Sequence, residues 1–90
     1  MNNPIKYYRE MGERYLGNAS VEADHAQREI QFERAFDSYL KLAEHDRSPE
    51  VAEMLYELRE CRREPELSRD CVGSVMDRHG IGTKSLSLVR

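Results

Sequence analysis

Ninety residues with a net charge of −3, 34% charged and 39% hydrophobic, make one small domain with a thin apolar core. That balance argues against non-specific nucleic-acid binding, which needs many basic contacts to phosphate. No apolar run approaches the about 20 residues that span a bilayer. Charges of mixed sign among periodic apolar residues point to ordered helices rather than a disordered chain.

The first helix is expected to start at Asn3, whose side chain can cap it, with Pro4 in the first helical position. Ile5, Tyr8, Met11 and Tyr15 then form a stripe joined by Leu16, and Gly17-Asn18 reads as the stop. A second, longer helix is expected from near Ser20 to about His45. Its stripe is Phe32, Ala35, Phe36, Tyr39, Leu40, Leu42 and Ala43, continued upstream by Ala26 and Ile30. Glu22 and Asp24 fall in its opening turn, favourable beside the positive end of the helix dipole. Asp24 with Arg28, and Asp37 with Lys41, have the spacing of helical ion pairs.

Ser48-Pro49-Glu50 is the sharpest boundary in the chain: a cap, a first-turn proline and an acid at the dipole. The third helix buries Val51, Met54, Leu55 and Leu58 and reaches Cys61 or Arg62. His45-Asp46-Arg47 allows only a tight reversal, so helices two and three should form an antiparallel hairpin. Pro65 breaks the chain again. A fourth helix, about Glu66 to His79, would bury Leu67, Cys71 and Val75 with Val72 or Met76. Its mid-helix Gly73 signals a weak point or a close crossing, and Gly80 ends it. In Ile81 to Arg90, Ser85-Leu86-Ser87-Leu88-Val89 alternates like a strand, while Thr83 could cap a short helix. The expected fold is therefore a small all-α four-helix bundle on a central antiparallel hairpin: a helical domain over 1–80 and an extended or helical tail over 81–90.

Little in the chain suggests chemistry. Glu22, His25 and Glu29 have the spacing to share one face of the second helix, as in carboxylate-bridged metal sites, but no other helix repeats the pattern. His45 and His79 sit at helix ends, where they complement the dipole. Cys61 and Cys71 could approach across helices three and four, yet they lack zinc or CxxC spacing and read as small hydrophobes on core faces. Two cysteines and the polar start Met1-Asn2-Asn3-Pro4 fit a reducing, cytoplasmic setting without a secretory leader. There is no phosphate-cradling glycine loop and no nucleophile elbow. No catalytic activity, cofactor, metal, membrane contact or small-molecule substrate is expected.

Binding is the better expectation. Tyr7 and Tyr8 point about 100° apart on a helix, so one of them faces outward or into an interface. A thin core also leaves apolar surface for another chain to cover, and the candidates are Tyr7, Tyr8, Ile30, Phe32 and Met54, with Leu86, Leu88 and Val89 of the tail. The expected function is a non-catalytic helical interaction module (an adaptor, chaperone or regulator) bound to a protein partner or to a second copy. Second comes a DNA-binding regulator, because residues 67–90 have the outline of a helix-turn-helix with Arg78, Lys84, Ser85 and Arg90 as contacts.

Overall fold

The computed structural model describes residues 3–64 and 66–82. Four helices follow in order: α1 (Pro4–Val21), α2 (His25–His45), α3 (Pro49–Arg62) and α4 (Arg69–Arg78), and the described residues contain no strand. The all-α bundle expected from periodicity is what the chain forms. Each helix packs on two others, α1 and α3 both lying against α2 and α4, so the four close a ring around one core.

Local chemistry sets the helix starts. The Asn3 side chain accepts the Lys6 amide at 3.2 Å, and Asp24 accepts that of Gln27 at 2.9 Å. Ser48 accepts from Val51 at 3.4 Å, and Ser68 from Cys71 at 3.0 Å. At the end of α4, Gly80 takes φ 70°, a conformation glycine adopts without penalty. The Gly80 amide then donates to Asp77 O and the Ile81 amide to Met76 O, which reverses the chain and drops Ile81 into the core. Ile81, the first residue of the expected tail, is thus a core residue; residues 83–90 lie outside the described segment.

Two boundaries differ from expectation. α1 continues through Gly17-Asn18 to Val21, because Leu16 and Ala19 on either side are fully buried and packing outweighs a local stop signal. The Ser20 hydroxyl donates to Gly17 O at 2.7 Å, and the Asn18 amide donates to Gln31 across the α1–α2 seam at 3.2 Å. α2 correspondingly begins at His25, capped by Asp24, rather than near Ser20. α4 is shorter than expected as well, starting after Ser68 rather than at Glu66.

The most extensive pairing is α1 with α2, whereas the reading from sequence placed the spine on α2 and α3. Both pairs are antiparallel: Asn18 meets Gln31, Arg34 lies over Tyr15 and Tyr8 stacks on His45, while Arg62 meets Glu33. Small residues explain the closer pair. Gly12 and Ala19 of α1 and Ala35 of α2 are buried, so those backbones approach without a bulky side chain between them. The α3 face instead presents Met54, Leu55 and Leu58. The buried stripe of α1 is therefore Gly12, Leu16 and Ala19, flanked by Tyr8 and Tyr15, while Ile5 stays exposed.

The upstream half of α2 is also corrected. Ala26 and Ile30 face solvent, and Arg28 takes the inward position instead. Its guanidinium donates to Glu22 O and Ala23 O, each at 3.0 Å, and to Leu67 O at 2.8 Å. Arg28 thus ties the α1–α2 turn to the segment entering α4, rather than pairing with Asp24 as its spacing suggested.

Candidate interaction surface

Helical geometry separates the two neighbouring tyrosines. Tyr8 packs against the core and stacks on His45 with ring centroids 5.9 Å apart. Tyr7 remains 56% exposed and meets the Tyr8 ring edge-on at 5.2 Å. Ile30 is 43% exposed, pointing away from the core face of α2. Two other candidates are corrected. Phe32 and Met54 are only 1% and 5% exposed, and both belong to the core, where no partner reaches them in the folded chain. Their apolar character was legible; on helical spacing alone, an inward Phe32 and an outward Ile30 differ only by which way α2 is turned. Leu86, Leu88 and Val89 lie outside the described residues, as do Lys84, Ser85 and Arg90. Arg78 is engaged by Glu57, its Nε donating at 3.1 Å.

A groove between α2 and α3 is the feature that sequence reading missed. Phe36 lines it from α2, Tyr56, Arg59 and Arg62 from α3, and Arg63 from just past the end of α3, around a shallow, open volume of about 540 Å³. Arg62 and Arg59 lie over the Phe36 ring, their guanidinium carbons 5.1 and 6.0 Å from its centroid. Arg62 also meets Glu33 at 2.9 Å and Arg63 meets Glu60 at 3.2 Å. Among the described residues, Arg59 has no carboxylate partner. Tyr56 is 62% exposed beside it. The signal was present in the chain: Tyr56, Arg59 and Arg63 recur at helical spacing on a polar face, where an aromatic is unusual.

The acid and histidine groups resolve differently from expectation. Glu22 caps the end of α1 and lies off α2, so Glu22, His25 and Glu29 do not share a helix face. His25 instead meets Glu29 at 3.2 Å. A different trio comes together: ligand atoms of Glu53, Glu57 and His79 lie within 4.8 Å of one another. One oxygen of Glu57 already meets Arg78 Nε and His79 Nε2, each at 3.1 Å, so this oxygen is engaged within the protein. The trio joins α3 to the end of α4, a contact that sequence separation concealed.

A small cavity of about 50 Å³ is lined by Arg9, Glu13, Tyr39 and His79, among others. The Tyr39 hydroxyl is buried with no protein hydrogen-bond partner. Burial, reinforced by the nearby Glu13 charge, raises its pKa and keeps it protonated. The Glu13 carboxyl is also raised, mainly by burial; neighbouring Arg9 opposes the shift and Glu10 adds to it. Arg9 itself pairs with Asp46 at 2.8 Å, pinning α1 to the α2–α3 turn.

Cys61 and Cys71 are joined as a disulfide across the α3–α4 junction, with Cα atoms 5.9 Å apart. Cys61 is fully buried, as a core residue was expected to be, but the pair also forms a covalent link. No described helix is long and apolar enough to cross a membrane. Comparison with known protein families, curated proteins and solved structures finds no match to this chain.

Proposed function

We propose that the protein is a non-catalytic interaction module, a small adaptor, chaperone or regulator that binds another protein. One observation carries this reading. With the core of all four helices closed, Tyr7, Val21, Ile30 and Tyr56 still face outward, along with the edges of Ile5 and Leu40. Exposed tyrosine and aliphatic side chains that the fold does not use are available for a partner to cover, and tyrosine is enriched where partners meet. A self-associated form is the simplest variant. The DNA-binding reading draws less support, because Arg78 is engaged by Glu57 and the chain is acidic overall.

A cytoplasmic setting belongs to the proposal and has a chemical consequence. There the Cys61–Cys71 pair would be held as thiols, whereas an oxidising compartment would preserve the link.

The test is affinity capture of the tagged protein from host lysate, split into nuclease-treated and untreated halves. Retention of the same protein in both halves is the expected result. Capture that vanishes with nuclease would replace this reading with nucleic-acid binding.

A further inference from the structure

We propose that the α2–α3 groove is a docking site for an acidic peptide segment of a protein partner, one or two carboxylates beside an apolar side chain. This rests on the interaction-module reading and names the chemistry of its partner. Arg59 is the anchor. Its guanidinium lies over the Phe36 ring, and no described carboxylate takes its N–H donors. An arginine oriented on an aromatic face loses little freedom on binding and offers a planar fork that matches a carboxylate. Arg63 stands about one turn further on, just past the end of α3, and is held by Glu60 at 3.2 Å in an exposed pair that contributes little. It is available as a second cation.

The apolar part of the site is equally specific. Tyr56 is largely exposed and lies one turn before Arg59, so a leucine or phenylalanine on the incoming segment can rest on its ring while a neighbouring acid meets Arg59. Charge selects a peptide over nucleic acid. Glu33 and Glu60 flank the arginines, so a polyanion would meet repulsion that one or two carboxylates avoid. The chain's own residues 83–90, Thr-Lys-Ser-Leu-Ser-Leu-Val-Arg, contain no acidic side chain to serve as the occupant.

A displayed library of random twelve-residue peptides, selected on the full-length protein, tests this. The expected binders carry Asp or Glu next to Leu or Phe. As synthetic peptides they should lose at least tenfold in affinity to Arg59→Glu and severalfold to Tyr56→Ala, with salt weakening binding. Arg14→Glu, on the exposed face of α1, should bind as wild type, and circular dichroism should show unchanged helicity in all three variants. Binders indifferent to Arg59→Glu would overturn the groove assignment while leaving the interaction module standing. Basic or neutral consensus sequences would overturn the groove as well. No enrichment at all would count against both. Duplex DNA that competes for the groove at low salt would assign it to nucleic acid instead.

Discussion

Two glycines with the same sequence signature behave oppositely once their surroundings are known. Gly12 lies under Tyr39: a Cβ there would stand 2.8 Å from the ring, so one of the two must move. Gly73 has nothing within 4 Å of the same position. Alanine gains about 1 kcal/mol over glycine inside a helix, a benefit both sites would receive. At Gly73 the gain stands alone, so Gly73→Ala should stabilise by up to about 1 kcal/mol. At Gly12 overpacking of about 1–3 kcal/mol opposes it, so Gly12→Ala should be neutral to destabilising. Urea denaturation of the pair checks both signs. Two stabilising substitutions would mean that the α1–α2 seam is looser than the Tyr39 contact implies.

Glu13 gives a pH prediction at the same scale. Burial raises its pKa in the folded state, so folding favours the protonated form. A raised carboxyl contributes stability that is present below the unfolded value near 4.5 and is lost as pH rises through the folded pKa. Glu13→Gln should therefore stabilise the protein at neutral pH and have little effect at acid pH. Thermal melts of both proteins across that range would show the difference growing with pH; a constant offset would place the effect in packing instead.

Among the elements, two of the four N-terminal caps, Asn3-Pro4 and Ser48-Pro49, were legible as local chemistry, as was the Gly80 stop, because each acts within one turn of its own position. The α1–α2 boundary was not. Gly17 is a stop signal by propensity, and only the burial of Leu16 and Ala19 against another helix overrules it. The pairing of α1 with α2 escaped for a related reason, since the small residues that allow close approach, Gly12, Ala19 and Ala35, carry no hydrophobic signal of their own. Arg28 was hidden because its acceptors are backbone carbonyls, which no side-chain pattern reveals.

The short α4 depends most on its attachments. It spans 10 residues, below the length at which a helix persists alone, and is fastened by Cys71, by the Glu57 contacts to Arg78 and His79, and by Ile81. Linking cysteines 10 residues apart removes chain entropy worth about 3 kcal/mol from the unfolded state. Reduction, or Cys71→Ser, should lower the melting temperature by more than about 10 °C. A melt unchanged by reductant would show that the link contributes nothing to holding α4.

At the scale of the whole molecule, the apolar residues divide into a closed core and a set left outside. Sequence periodicity identified most of the first and only part of the second. That one of Tyr7 and Tyr8 faces outward was legible, whereas Ile30 read both as part of the core stripe of α2 and as an interface candidate. Tyr56 and the arginines beside it were not legible, because their significance lies in a groove made with Phe36 of another helix. The same division separates two kinds of substitution. Phe32→Ala removes a core ring and should cost about 3–5 kcal/mol of stability, so any loss of binding would follow loss of fold. Ile30→Glu, two residues away on the solvent face, should leave the fold intact.

The measurement that tests the central claim most directly is partner retention by a Tyr56→Ala, Arg59→Glu double variant in the capture experiment, with helicity and melting temperature recorded alongside. A variant that folds as wild type but loses the captured protein at least tenfold is the predicted result. A variant that folds as wild type and retains the partner in full would contradict the assignment of the exposed Tyr56–Arg59 surface to binding.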